Sequence, residues 1–200
     1  MFKKRQMGRL ASVVGVSTLT GPFIEQQYYD LITSIEGILK SSSFLLGNRP
    51  SSADFAMYGQ LTQLIGFDPT PSQLAVQHAP RVCSWVDIVE DLSGLEVRSK
   101  DDNDGVNGSW WTIPEILGSK HHTDLLTSIG NTYLPFLKAN FLAHQRSDPQ
   151  FACTLGPDLV PWTQATFPYQ AKCWIELRKK YQELSVEDRN ILGELGIELQ

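Results

Sequence analysis

Two adjacent histidines, three cysteines and a group of close aspartates are the residues of this chain best equipped for chemistry, and their spacing decides what they can do. On a helix, neighbouring residues point about 100° apart. His121 and His122 therefore cannot chelate one metal ion as an i, i+4 pair does, and His78 and His144 stand alone. Asp101, Asp102 and Asp104 beside Gly105 suggest an oxygen-rich calcium loop, but the twelve-residue EF-hand pattern and its closing Glu are missing. That stretch reads as a solvated turn. No serine lies in a G-x-S-x-G elbow. Cys83, Cys153 and Cys173 are too widely spaced for a C-x-x-C motif and too few for a disulfide framework. Cys83 follows a helical core pattern and reads as a small buried hydrophobe rather than a nucleophile. On these grounds no catalytic, cofactor-binding or metal-ligating residue is assigned.

The concentrated positive charge lies at Lys3, Lys4, Arg5 and Arg9. If residues 2–15 are helical, Arg5 and Arg9 are four apart and share a face, where an anion could be met or water faced. Trp110 and Trp111 could line an apolar ligand cleft or serve aromatic packing. Arg5, Arg9, Trp110 and Trp111 are thus the candidate cleft residues.

A chain of 200 residues with 42% hydrophobic content can bury one sizeable core. Its net charge of −5 argues against a nucleic-acid partner, which requires a basic face to neutralise phosphates. No apolar run approaches the ~20 residues that span a bilayer, so no membrane partner is expected. The charged start and apolar residues 10–16 imitate a signal peptide, but Ser and Gly interrupt the apolar part and no A-x-A site follows. With cysteines this few, a reducing cytoplasm is the expected compartment.

The elements that must carry these residues are mostly helices. Ile24, Tyr28, Leu31, Ile32, Ile35, Ile38 and Leu39 recur at three- and four-residue spacing, and Ser41 to Ser43 end that helix. Residues 66–77 read as a proline-rich connection, and Val82, Trp85, Val86, Val89 and Leu92 as one face of the next helix. Residues 96–109 form a polar loop. Beyond it Leu125, Leu126, Ile129, Tyr133, Phe136, Leu137 and Phe141 share a face, with Pro135 inside the pattern, where it should kink the helix or begin a new turn. A short β-hairpin is expected near 151–167, around Gly156, Pro157 and Asp158. Two helices close the chain, the first burying Trp174, Leu177, Tyr181 and Leu184, the second opened by Ser185 and Asp188.

The most specific segment is Gly47-Asn48-Arg49-Pro50-Ser51-Ser52-Ala53-Asp54. Ser51 can cap a helix while Asp54, three residues on, returns a bond to the Ser51 N–H and places a carboxylate at the positive end of the helix dipole. Residues 55–65 are then apolar on nearly every face, as a central buried helix would be. This segment resembles the G-x-x-P-[ST]-x-A-D capping box of the glutathione transferase family, found in its C-terminal all-helical domain. Asp68-Pro69-Thr70-Pro71 and the P-x-[VIL]-x-x-W pattern of Pro80-Arg81-Val82-Cys83-Ser84-Trp85 extend the resemblance over residues 26–95.

The resemblance implies an all-α fold, a helical bundle around a central buried helix at residues 51–65. Residues 1–95 would be the core of this domain with its start truncated, 96–109 a loop, and 110–200 a helical extension of the same domain. The family binds glutathione mainly on a preceding thioredoxin-like domain that supplies the thiol-activating residue, and no residue here matches that part. The implied function is the substrate-side domain of a glutathione S-transferase-like protein. The family's conjugation of glutathione to small electrophiles, or glutathione-dependent reduction of them, is not expected from this chain alone. Glutathione would be a co-substrate only with the thioredoxin-like domain present. The expected partners are that domain or another protein, or a second copy in a homodimer. A second reading is a non-catalytic, stand-alone helical domain that binds a protein partner or hydrophobic ligand.

Overall fold

A computed structural model describes residues 14–95 and 110–199. Arg5, Arg9 and the loop at 96–109 lie outside the described residues. The helices are α1 (Gly21–Ile38), α2 (Ser52–Gly66), α3 (Pro69–His78), α4 (Pro80–Glu90), α5 (Ile113–Gly118), α6 (Lys120–Ser128), α7 (Leu134–Gln145), α8 (Pro168–Glu183) and α9 (Val186–Glu194). A π-helical turn, Ile129–Tyr133, joins α6 to α7, and strands β1 (Gln150–Leu155) and β2 (Val160–Ala165) form the one small sheet among the described residues. The fold is all-α with a hairpin. Contacts divide it into two compact units, residues 26–125 and residues 1–25 with 126–200. Residues 110–125, grouped by the sequence with the C-terminal part, thus fall in the same unit as 26–95.

In the unit of residues 26–125, Ile32 and Ile35 of α1, Leu61 of α2, Ala75 of α3 and Val82, Trp85, Val86 and Val89 of α4 form the core, together with Phe44 and Leu45. The apolar spacing of α1 and α4 matches the faces they bury. Residues 66–77, expected as a connection, instead contain α3. Its prolines do not prevent this, because Pro69 and Pro71 occupy the first turn, where backbone N–H groups have no helical partner to lose. Asp68 caps the helix, accepting from the Thr70 N–H at 3.3 Å.

Helix α2 departs from the expectation of apolar burial on every face. Asp54 and Leu61 are buried, but Ser52, Ala56, Gly59, Gln63 and Gly66 recur along an exposed stripe, and Phe55 beside it is 52% exposed. Small residues count as apolar in a composition yet contribute little area to bury, so this outer stripe is legible only from its three- and four-residue spacing.

Helix α4 begins with Ala79, which has no side chain able to cap, and Pro80, which has no N–H. The first donor to need a partner is the Arg81 N–H, and Glu36 of α1 accepts it at 2.8 Å while also taking the Arg81 guanidinium at 2.7 Å. A buried carboxylate from one helix thereby caps another, with the charge placed favourably for the dipole of α4.

In the other unit, Pro135 decides the local geometry. Lacking an N–H, it cannot bond the carbonyl of Asn131, and its ring crowds that carbonyl. The expected kink takes the form of a π turn, in which the Leu134 N–H reaches back five residues to Ile129. The released Asn131 carbonyl accepts the Gly156 N–H from the hairpin turn at 3.0 Å. The hairpin pairs Gln150 with Ala165 through Leu155 with Val160, burying Phe151, Leu155 and Trp162 with Ala143 of α7. Leu134, Leu137 and Trp174 form a second cluster with Ile197 and Leu199.

Asn140 of α7 is fully buried and brackets the backbone of Phe167, its amide donating to the carbonyl at 3.0 Å and its oxygen accepting the N–H at 2.8 Å. Asn140→Leu, similar in size but without polar atoms, should therefore leave both Phe167 groups unpaired. We expect it to lower stability by about 2–4 kcal/mol, read as a shift of the urea midpoint with the slope unchanged.

Candidate functional site

Of the residues singled out by sequence, Ser51, Asp54, Trp110 and Trp111 converge, within the unit of residues 26–125, on a short segment at positions 44–49. The Asp54 carboxylate, fully buried, lies at its base. One oxygen accepts the Leu45 N–H at 2.8 Å, and the other accepts both the Ser51 N–H at 2.8 Å and the Ser51 hydroxyl at 2.6 Å. Ser51 is extended, as a cap residue must be, and closes the reciprocal box with Asp54 at the start of α2. A side chain that serves a helix end also fixes a loop nine residues upstream.

The opposite side of this segment is held from residues 110–122. The Trp111 N–H donates to the Leu46 carbonyl at 2.8 Å, and Gly47 bridges both Phe44 and Trp110. Gly47 has φ of 127°, a conformation L side chains rarely adopt, which explains the glycine at the corner. Arg49 lies 4.9 Å over the Trp110 ring, an exposed cation–π pair of the kind that contributes about 0.5–1 kcal/mol.

His122 completes the arrangement. It is 3% exposed, its Nε2 lies 2.7 Å from the Leu45 carbonyl and its Nδ1 2.8 Å from the Ser119 hydroxyl. A carbonyl can only accept, so Nε2 carries the proton and Nδ1 accepts from Ser119 in the neutral ring. Trp111 packs on the imidazole with ring centroids 5.1 Å apart. The peptide of Leu45 is thus gripped on both sides, its N–H by Asp54 and its C=O by His122. His121, adjacent in sequence, points elsewhere: its ring lies where a Cβ on Gly37 would stand, 2.3 Å from the Cγ, so only glycine at 37 admits it.

Ser51 and Asp54 are therefore brought to the same segment as Trp110 and Trp111. Sequence reasoning missed His122, Ser119 and Arg49 as members of this group. The His-His pair was weighed only for metal chemistry, and the burial of one histidine against a loop carbonyl more than 70 residues away leaves no periodic signal.

Chemically, the cluster is committed to holding the backbone. The Asp54 oxygens have three donors, and both imidazole nitrogens are bonded, one to the Leu45 carbonyl and one to the Ser119 hydroxyl. Elsewhere, burial holds the Cys83 thiol above its usual range, with Asp87 and Glu36 adding to the effect, and burial does the same to Cys153. Both are poor sources of thiolate at neutral pH. Among the described residues no three His, Cys, Asp or Glu side chains gather as a metal site would require. No described helix is long and apolar enough to cross a membrane.

A family model described as glutathione S-transferase, C-terminal domain, matches residues 25–92. The matched segment is similar to a glutathione S-transferase C-terminal helical domain. It takes in the last 14 residues of α1 and all of α2 to α4, with the Ser51 and Asp54 box inside it. No curated protein and no solved structure matches the chain significantly. Residues 110–122, which complete the clamp on Leu45, lie beyond the matched range.

Because Asp54 satisfies three donors in the interior, Asp54→Ala should destabilise the protein by about 2–4 kcal/mol, more than an exposed cap loses. Asp54→Asn, which keeps an acceptor oxygen, should cost less. Chemical denaturation of the two variants beside the parent chain measures both, and equal midpoints for all three would contradict the role given to the carboxylate.

Proposed function

We propose that this chain serves as the C-terminal, substrate-side helical part of a glutathione S-transferase-like protein. The observation that carries the reading is the match of residues 25–92 to that domain, supported by the Ser51 and Asp54 box at the start of α2. Thiolate chemistry needs a donor or positive field that lowers a thiol pKa from ~8.5 and a surface that aligns the thiol with its electrophile. The polar groups converging on residues 44–54 are spent on backbone instead. Glutathione binding and activation are therefore assigned to a thioredoxin-like domain, joined in the same protein or supplied by a partner, and the reaction class is conjugation of glutathione to small electrophiles or their glutathione-dependent reduction. The free thiols of Cys83, Cys153 and Cys173 support a reducing compartment such as the cytoplasm.

A second reading, a helical domain that catalyses nothing and binds a partner or apolar ligand, draws support from Phe55, Phe67, Val76 and Ile88, large apolar side chains left more than half exposed. Titration calorimetry with glutathione and a conjugation assay with an aromatic electrophile separate the two. The 200-residue chain alone should give neither saturable heat nor turnover, and turnover should appear when a thioredoxin-like domain is fused ahead of it. Turnover by the chain alone would place the thiol site within these residues and refute the assignment. Fusions that stay inactive while the chain retains a saturable apolar ligand would favour the second reading.

A further inference from the structure

Both partners of His122 are neutral and its environment is nearly closed. A charged imidazolium would be formed in the interior with only a carbonyl and a hydroxyl beside its nitrogens. The charged and titratable groups on surrounding elements are engaged otherwise. On its own helix, Asp124 pairs with Lys120, and His121 is a second imidazole. From the segment in front, Asp54 is spent on Leu45 and Ser51, and Arg49 lies over Trp110. On α5, Glu115 accepts from the Thr112 N–H and hydroxyl. On α1, which meets α6 where His121 covers Gly37, Glu36 is held by Arg81, and Lys40 brings a further positive charge to that helix. None of these carboxylates bonds a ring nitrogen of His122.

We infer that His122 is an acid-sensitive latch: protonating it releases the strap of residues 110–112 from residues 44–47 while the helical core of α1, α2 and α4 stays folded. Among the described contacts the strap is tied to residues 44–49 by the Trp111 N–H to Leu46, the bridge of Trp110 to Gly47 and Arg49 over Trp110, and it is coupled to His122 through the Trp111 ring that rests on the imidazole. Opening hydrates the ring and removes the cost of burying its charge.

Burial holds His122 below the usual histidine range, the Leu45 bond opposing and His121 reinforcing the effect. The sign follows from linkage. A histidine that resists protonation when closed contributes its full stabilisation above the open-state value of ~6.5. That contribution is lost progressively as the pH falls from there through the closed-state value. The Trp111 ring, which attracts a cation, moderates the loss without supplying a counter-charge.

Hydrogen exchange on the full-length chain from about pH 7.5 to about pH 5.5, corrected for intrinsic exchange, tests the inference. The opening constant of the Trp111 amide, which is bonded to Leu46 across the strap, should rise on acidification by up to tenfold per pH unit, the limit for one proton, while the Val86 amide in α4 stays flat. His121→Gln should preserve this slope and His122→Gln abolish it. A flat Trp111 profile, an equal slope in His122→Gln, or an equal slope at Val86 would each overturn the latch. Should His122→Gln fail to fold, NMR titration of the ring in the parent chain decides: a value below that of an open histidine supports the latch, and an ordinary or raised value refutes it.

Discussion

Three donors converging on one buried carboxylate set the local order of residues 44–54. Asp54 could have been an ordinary first-turn acid, worth a few tenths of a kcal/mol at the surface. By accepting the Leu45 N–H as well as the two donors of Ser51, it fixes the angle at which the chain enters α2 and the position of the loop before it. That loop then presents the carbonyls of Leu45 and Leu46 to His122 and Trp111. Only because Asp54 anchors the N–H side of Leu45 does His122 find its acceptor in place on the other side.

Much of this was legible in the sequence. The S-x-x-D spacing, the glycine before it and the apolar periods of α1 and α4 each follow from helix geometry that acts over three or four residues. What could not be read were effects acting over longer distances. The caps of α2 and α3 lie beside their helices, whereas the cap of α4 comes from Glu36, 45 residues upstream of Arg81, and no local motif announces it. His122 is equally silent, because a buried histidine and an exposed one share the same letter and the same neighbours. The prolines of residues 66–77 misled for a related reason, since a proline breaks a helix in its interior and favours one at its start.

The two clamps described, Asp54 with His122 on Leu45 and Asn140 on Phe167, share a device. In each, a short stretch of irregular backbone ahead of a helix is held by buried side chains whose polar atoms match those of the backbone. Irregular segments leave N–H and C=O groups that regular structure would have paired. Buried partners satisfy them while making one conformation of the loop far more favourable than its alternatives.

The π turn at residues 129–133 affects how the helical pattern is counted as much as how it is bonded. In an unbroken α-helix, Leu126, Tyr133 and Leu137 would follow one another along the same face. Here Tyr133 is nearly half exposed while Gly130, Leu134 and Leu137 turn inward. The wider turn takes up one extra residue, so the apolar repeat before it and the repeat after it are out of step by one. Closing that turn to α geometry without removing a residue would rotate everything beyond it by about 100°, carrying Leu137 and Asn140 out of the core, whereas removing one residue along with the wide turn would keep them facing inward. The width of the turn and the length of this segment are therefore constrained together.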